Sequence, residues 1–295
     1  MQARSEGVEV AGLQLVNAAF YHVALVDCTR VRLEGLRIQA PLSSKNTDGI
    51  TLIGSSQVVV RWCHVDTGDD NCAIKEGTHN VLVEECTFWN GHGSSIGSIG
   101  EGSAWGQVHH VVMRNIVFNG THSAARLKSW QGGRGFISDI SYTNLRLIDV
   151  RCPLVVDQFY CASSQHKTPC RNRTDAVHIS RLLFADVNGT QTSGAAAQLL
   201  CADSVPCTDI LLQRVHIAAS QPSRQLEHLM GQTPPWWRRA KDIPNNTFKC
   251  WNALGKQVDV SPQGCIGRND IGHGLVSQGI LSRGKSIGLS ALRPV

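Results

Sequence analysis

Four short polar motifs interrupt an otherwise apolar, β-rich sequence, and their residue types could do chemistry. They are Asn46-Thr47-Asp48, Gly68-Asp69-Asp70, Gly91-His92-Gly93 and Arg126-Leu127-Lys128. Asp48 and Asp70 are 22 residues apart, Asp70 and His92 are another 22 apart, and Arg126 follows 34 residues later. This interval predicts that the motifs lie on successive turns of a repeating structure and face one side. The resulting strip would carry three carboxylates, an imidazole and two cations.

The three carboxylates predict acid/base catalysis. Carboxylates crowded about one turn apart repel each other, which raises the pKa of at least one and leaves it protonated while the others stay ionised. Glycoside hydrolysis needs this arrangement, because a carboxylic acid protonates the leaving oxygen while a carboxylate activates water or attacks directly. Arg126 and Lys128 are suited to hold the carboxylate of a uronic acid, one as a bidentate fork and the other as a point charge.

Each motif also has a simpler interpretation. Asp-Asp and Asn-Thr-Asp-Gly are ordinary in turns, Gly-His-Gly is typical of a loop, and Arg-Leu-Lys is typical of a solvated strand face. The three aspartates could alternatively bind calcium through their oxygen atoms. A calcium site leaves His92 unexplained, whereas in a hydrolase this residue can hydrogen-bond to the acid. We therefore favour the catalytic interpretation and predict no metal, because all four motifs share one register.

A β-rich phrase that returns at intervals of roughly 22 to 30 residues predicts the elements that position these motifs. Val, Ile or Leu alternate within each copy, which is the period of a strand with one buried face, and most copies end in a turn signal. Clear copies are CTRVRLEGLRIQA from Cys28, SQVVVRWCHVDTG from Ser56 and HNVLVEECTFWNG from His79. The pattern predicts an all-β parallel β-helix rather than a β-sandwich or a β-propeller, whose strands recur at other intervals.

The repeat predicts one domain with two parts, a parallel β-helix over residues 1–220 and a C-terminal cap with a tail over residues 221–295. About one turn is visible before residue 28, which leaves open whether the coil has an N-terminal cap. After Ser220 the pattern stops, and solenoids require capping at their ends. The aromatic residues that we expect to pack the C-terminal cap are Trp236, Trp237 and Trp251.

The composition favours a globular, extracellular protein. Hydrophobic residues make up 42% of the 295 residues and charged residues 17%, which is ample for a continuous core. The net charge of +5 suits an anionic partner, and the basic residues are scattered rather than run together as in a nucleic-acid tail. No apolar run approaches the roughly 20 residues that cross a bilayer. We predict no nucleic-acid or membrane partner, and a monomer.

Eleven cysteines, none of them in a CxxC pair, favour disulfides over a zinc or redox centre. Short loops that could close are Cys161 to Cys170, Cys201 to Cys207 and Cys250 to Cys265. Cys63 and Cys86 occupy matching repeat positions and are predicted to form a disulfide or a stack of thiols. Four sequons, at Asn119, Asn172, Asn188 and Asn245, fit a secreted glycoprotein.

At the four polar motifs the sequence resembles the polygalacturonases, glycoside hydrolase family 28, whose signature motifs read Asn-Thr-Asp, Asp-Asp, Gly-His-Gly and Arg-Ile-Lys in this order. All four are present, with Leu127 in place of Ile. The likeness extends from about Asn46 to Thr208, and RLKSWQGG, VVDQFYC and LLCADSVPCTDI look like plant members. Asn71 and Phe88 stand where Cys is usual, which puts a common local disulfide in question.

The resemblance implies a right-handed, single-stranded parallel β-helix of the pectin-lyase-like kind, and a role for each motif residue. Asp69 would be the general acid, Asp48 and Asp70 would hold and activate water, and His92 would tune the acid. Family members invert stereochemistry and use no metal or organic cofactor. The implied binding residues for a substrate carboxylate are Arg126 and Lys128, together with Tyr160 of the DQFYC segment as a substrate contact.

The implied function is a secreted polygalacturonase that hydrolyses α-1,4-galacturonosyl bonds of pectin in the cell wall. Two alternatives stay open: a pectin-binding wall protein without turnover, and a calcium-dependent pectate lyase on a similar solenoid. Endo and exo action are not distinguished by the sequence, nor are preferences for methylated or xylose-substituted pectin.

Overall fold

The computed structural model describes residues 2–161, 175–220 and 246–267. These residues form strands almost throughout, and each strand pairs in parallel with strands of the neighbouring turns. Parallel pairing throughout excludes the antiparallel sandwich and propeller. The chain coils as the predicted parallel β-helix, with its strands aligned in three ladders along the coil.

The first ladder contains nine strands and supports the polar motifs. Its strands are β1 (Gln2–Ala3), β4 (Val23–Val26), β7 (Ile50–Ile53), β10 (Asp70–Ile74), β13 (Gly93–Ile99), β15 (Ala125–Trp130), β17 (Leu154–Tyr160), β19 (Ala195–Leu200) and β21 (Thr247–Trp251).

The second and third ladders are separate in the early turns and are joined by long strands in the later turns. The second begins with β2 (Glu6–Ala11), β5 (Thr29–Glu34), β8 (Ser56–Arg61) and β11 (His79–Glu84). The third begins with β3 (Gln14–Val16), β6 (Arg37–Gln39), β9 (His64–Asp66) and β12 (Thr87–Trp89). The strands that continue both are β14 (Trp105–Asn119), β16 (Arg134–Val150), β18 (His178–Gln191), β20 (Cys207–Ala219) and β22 (Ala253–Ser261). A short 3-10 helix, Glu101–Ser103, precedes β14.

Stacked apolar side chains fill the interior of the coil. Alternate residues of each strand point inward, and equivalent positions pair from turn to turn. One such row is wholly buried and consists of Leu33, Val60, Val83, Met113, Tyr142, Phe184 and Leu212. The hydrophobic alternation in the sequence is therefore the inner face of the coil.

Each long strand bends where the second ladder meets the third. The bend is made by single residues in the left-handed conformation, such as Asn115 with φ 56°, Asn144 with φ 52° and Asp186 with φ 55°. Asn and Asp tolerate this conformation better than most side chains. The Nδ2 of Asn144 donates to Oδ1 of Asn115 at 2.8 Å, and Nδ2 of Asn115 donates to Oε1 of Glu85 at 2.7 Å. A polar ladder thus supports the corner.

The coil continues beyond the boundary that we predicted at residue 220. β21 pairs with β19, and β22 pairs with β20, so residues 247–261 complete a further turn. The sequence pattern is weak here because β22 carries Gly255, Lys256 and Gln257 in place of a clean alternation. Trp251 lies at the end of β21 and donates from Nε1 to Asp203 at 2.8 Å, while Trp236 and Trp237 lie outside the described residues.

Two of the three disulfides that we predicted are confirmed, Cys201–Cys207 and Cys250–Cys265. The predicted partner of Cys161, Cys170, lies outside the described residues. Cys63 and Cys86 are buried free thiols at matching positions of neighbouring turns, and each donates to a backbone carbonyl, Arg61 at 3.4 Å and Glu84 at 3.2 Å, so the thiol stack is present rather than the disulfide. No helix in the described part of the chain is long and apolar enough to cross a membrane.

Candidate active site

The polar motifs come together on the outer face of the first ladder. Asp48 lies two residues before β7, Asp70 is the first residue of β10, and His92 directly precedes β13. Arg126 and Lys128 lie within β15. Adjacent parallel strands are about 4.8 Å apart, so residues spaced by one turn become neighbours. We call Asp48, Asp69 and Asp70 the carboxylate cluster.

Asp70 is held as an ionised carboxylate. Its side chain is buried, the hydroxyl of Ser95 donates to its Oδ1 at 2.6 Å, and the ammonium of Lys128 donates to its Oδ2 at 3.2 Å. Burial alone would raise the pKa of Asp70, but the charges of Lys128 and His92 outweigh it and hold the pKa well below its usual range. Asp70 is therefore a base at any ordinary pH.

Asp69 is bound by His92 and by two backbone amides. Nδ1 of His92 lies 2.9 Å from Oδ1 of Asp69. The backbone N–H groups of Asp70 and Asn46 donate to the same carboxylate at 2.8 Å and 3.1 Å. Burial opposes ionisation, but the hydrogen bond from His92 prevails and lowers the pKa of Asp69.

Asp48 differs from its two neighbours. It is only 3% exposed, and its Oδ2 accepts one hydrogen bond from the Thr51 hydroxyl at 3.3 Å. Burial, together with repulsion by Asp70 and Asp69, raises its pKa to about 7. The direction of these shifts favours one proton in the cluster over the mildly acidic range, with Asp48 as the carboxyl that holds it in the free protein.

Two cations and an aromatic ring flank the carboxylate cluster. Arg126 and Lys128 are 7% and 5% exposed, which is unusual for charged side chains without a structural or functional partner. Cζ of Arg126 lies 5.9 Å from the ring centroid of Tyr160, and Nζ of Lys128 lies 5.6 Å from it. Burial lowers the pKa of Lys128 to about 8. The group presents positive charge and an aromatic surface side by side.

Sequence reasoning missed three polar residues of this site. Ser95 binds Asp70, as described above, and Lys75 follows β10 with its ammonium 3.0 Å from the carbonyl oxygen of Gly97. Asp157 pairs with Lys128 in the ladder, and burial raises its pKa to about 6. Lys75 directly follows β10, and Asp157 lies within β17 after the apolar residues Val155 and Val156; a charged residue next to such an apolar run was the available signal.

The departures at Asn71 and Phe88 have a structural explanation. Nδ2 of Asn71 donates to the carbonyl oxygens of Val65 and Trp89, both at 3.0 Å, and its Oδ1 accepts from the Gly93 backbone at 2.8 Å. Phe88 is fully buried in the core. Asn71 therefore connects three turns beside the site by hydrogen bonds.

Two residues of the carboxylate cluster and His92 also have the composition of a cation site. Ligand atoms of Asp69, Asp70 and His92 lie within 4.8 Å of one another. Both oxygens of Asp70, however, already accept hydrogen bonds, and one of the donors is the ammonium of Lys128. A divalent cation bound to Asp70 would have to displace this ammonium, so the donor set fits an internal ion pair better than a metal.

Comparison with known proteins shows which sequences this chain resembles. The pattern of glycosyl hydrolases family 28 matches residues 2–233. A polygalacturonase of Juniperus ashei is 38% identical over 213 residues, which are 72% of this chain and 41% of that protein. A probable polygalacturonase of Arabidopsis thaliana is 35% identical over 217 residues, covering 74% and 48%. The chain therefore spans about half the length of the curated relatives that it matches.

Solved structures show the same fold. A polygalacturonase from Erwinia carotovora superposes with a TM-score of 0.59 at 24% identity, over 72% of this chain and 55% of the other. An endo-xylogalacturonan hydrolase from Aspergillus tubingensis superposes with a TM-score of 0.66 at 17% identity, over 90% and 66%. The fold is the predicted right-handed parallel β-helix. The family match over most of the chain and the identities above show that this protein belongs to glycosyl hydrolase family 28.

Proposed function

We propose that the protein is a polygalacturonase, which hydrolyses α-1,4-galacturonosyl bonds of pectin by inverting acid/base catalysis. The observation that carries the proposal is the divided carboxylate cluster. One buried carboxyl, Asp48, has a pKa raised to about 7 beside two carboxylates whose pKa values are lowered. Acid and base are then present together at mildly acidic pH, as glycoside hydrolysis requires.

Each residue of the carboxylate cluster has its own role in the proposed reaction. Asp69 donates a proton to the glycosidic oxygen as the bond from that oxygen to the anomeric carbon breaks. Asp48 and Asp70 orient a water on the opposite face of the sugar, and Asp48 takes its proton as the new bond to the anomeric carbon forms. The proton lost by Asp69 and the proton gained by Asp48 balance, and redistribution within the cluster restores the starting state.

The proton must be on Asp69 when the reaction begins, although it lies on Asp48 in the free protein. The 2.9 Å contact between His92 Nδ1 and Asp69 fits both states, since Nδ1 can donate to a carboxylate or accept from a carboxylic acid. Moving the proton makes Asp69 a strong acid, because its pKa is low, and Asp48 a strong base, because its pKa is high. The less populated form is thus the reactive one.

Arg126, Lys128 and Tyr160 form the binding side of the proposed site. Their charge suits the carboxylate of a galacturonate residue, and Tyr160 offers a face on which the sugar ring can pack. No metal or organic cofactor takes part. The relatives named polygalacturonase support an acidic polysaccharide as the partner, and we propose a secreted monomer acting in the cell wall.

Release of reducing ends from polygalacturonate, with a chelator present, tests the proposal. We expect chelator-resistant release without products that absorb in the ultraviolet, and product sizes then distinguish endo from exo action. Unsaturated products that disappear with the chelator would instead indicate a calcium-dependent lyase. Binding of polygalacturonate by folded protein without any release would indicate a wall-binding protein.

A Ser95→Ala variant tests the support of Asp70. A hydrogen bond to a charged group contributes about 1.5–3 kcal/mol, so we expect kcat for polygalacturonate to fall at least about tenfold. The matched control is Ser141→Ala. Ser141 is a half-buried residue of β16 whose side chain makes no hydrogen bond among the described residues, so this variant should keep the parent kcat. A Ser95→Ala variant with the kcat of the control would show that this hydrogen bond does not matter for turnover.

A further inference from the structure

Lys75 is a cationic residue beside the carboxylate cluster, and it lies outside the four signature motifs. It directly follows β10, the strand that begins with Asp70, and its backbone N–H continues the ladder by donating to Leu52 at 2.8 Å. Its ammonium donates to the carbonyl oxygen of Gly97 at 3.0 Å. Gly97 belongs to β13, so the Lys75 side chain points along the ladder toward β15 and Lys128.

Gly97 separates two ammonium groups. A side chain at this position would collide with the backbone of Lys128, so only glycine fits there. Lys75 lies on the turn before Gly97 and Lys128 on the turn after it. Two turns correspond to about 10 Å along the coil. Burial is the main cause of the lowered pKa of Lys128, and the charge of Lys75 adds to it.

The Lys75 ammonium has capacity for a ligand. An ammonium carries three donors. Among the described residues, one of them bonds to Gly97, and the side chain is half-buried rather than solvated. Burial works to lower the pKa of Lys75, but Asp70 and Asp48 outweigh it and raise the pKa above its ordinary value. Lys75 is therefore a charged group beside the carboxylate cluster, with two donors that make no hydrogen bond among the described residues.

We propose that Lys75 binds the carboxylate of a second galacturonate residue, in the same ladder row as Lys128 and two turns away from it. The inference rests on the proposed function for the identity of its ligand. Lys75 would then take one sugar carboxylate, and Arg126 with Lys128 would take another, along the same ladder. Lys75 is thus a specificity-determining residue that favours unesterified galacturonan.

Calorimetric binding of trigalacturonate to an Asp69→Asn protein tests the inference without turnover. Adding Lys75→Met should weaken the affinity for trigalacturonate about tenfold, the effect of losing one charge-assisted hydrogen bond. Affinity for the fully methyl-esterified trimer should change less than about twofold, because its esters carry no charge. Lys75→Arg should restore most of the affinity for the acid, and Lys256→Met on exposed β22 should leave both affinities unchanged.

An equal loss for acid and ester would show that Lys75 has only a structural role, and unchanged binding of the acid would overturn the inference outright. The two proposals fail separately. A parent protein that releases no reducing ends contradicts the proposed hydrolysis, whereas the acid-selective loss in the Lys75→Met variant is measured on a protein that need not turn over.

Discussion

An Asp69→Asn variant is expected to hydrolyse polygalacturonate about 10³-fold more slowly than the parent protein, because proton transfer to the leaving oxygen contributes about 10²–10⁴-fold. Asparagine keeps the shape of the side chain and removes its proton. The contact with His92 and the backbone N–H bonds from Asn46 and Asp70 can persist, so the fold and substrate binding should be retained. The measurement is kcat and KM from reducing-end release.

The leaving group provides a sharper test of the acid. An oligogalacturonide with an aryl leaving group of low pKa needs little protonation, so the deficit of Asp69→Asn should shrink to under about tenfold with this substrate. Asp209→Asn, at an exposed position of β20, is the matched control and should behave as the parent on both substrates. If the aryl substrate instead reduced the deficit of Asp48→Asn and not that of Asp69→Asn, Asp48 would be the proton donor.

An Asp48→Asn variant is expected to lose activity and to become more stable at high pH. The pKa of Asp48 rises from 3.8 in the unfolded chain to about 7 in the folded protein. A raised folded-state pKa contributes stability that is present below about pH 4 and is lost as pH rises through about 7. A rise in pKa of this size corresponds to about 4 kcal/mol as an upper bound. Asparagine cannot ionise and so avoids this loss.

Urea unfolding of the parent and of Asp48→Asn at pH 4 and pH 8 measures this effect. We expect free energies of unfolding that differ little at pH 4, and an advantage for the variant of up to about 4 kcal/mol at pH 8. Asp209→Asn should show no such divergence. Equal stabilities of parent and variant at pH 8 would mean that Asp48 ionises freely in the folded protein, which would remove the shared proton from the account.

The fold was largely predictable because its signal is repeated. The inward row that includes Val60, Val83 and Met113 places one apolar residue at the same phase of each turn, and several copies of a weak alternation add up to a clear pattern. The turn made by β21 and β22 was missed for two reasons. Residues 221–245 separate it from the preceding turn in the sequence, and β22 carries exposed polar residues that obscure the apolar alternation.

The motif residues could be placed on one face from their spacing, but their protonation could not be assigned. Repulsion among Asp48, Asp69 and Asp70 predicts that one pKa rises. Which one rises depends on side chains from other turns. Lys128 and Ser95 hold Asp70 ionised and His92 does so for Asp69, whereas within the described part of the chain the Asp48 carboxyl accepts a side-chain hydrogen bond only from the Thr51 hydroxyl of its own turn. These contacts join residues as many as 58 positions apart.

The residues between the motifs were the least predictable part of the site. Ser95 lies in a strand phrase in which nothing marks it out, and Lys75 has only the weak signal of a charge that directly follows an apolar strand. Only the register of β10 with β13, and of β13 with β15, shows that Ser95 lies beside Arg126 and that Lys75 extends toward Gly97. Their roles follow from neighbours in space, which one sequence does not reveal.

The anomeric configuration of the first product tests the central claim, that the carboxylate cluster cleaves the bond by a single displacement with water. Proton NMR during hydrolysis of an oligogalacturonate follows the anomers before they equilibrate. The account predicts that the β-anomer appears first from the α-linked substrate, with no unsaturated product. Initial release of the α-anomer would require a covalent intermediate on one of the carboxylates, and an unsaturated product would require elimination; either result would contradict the account.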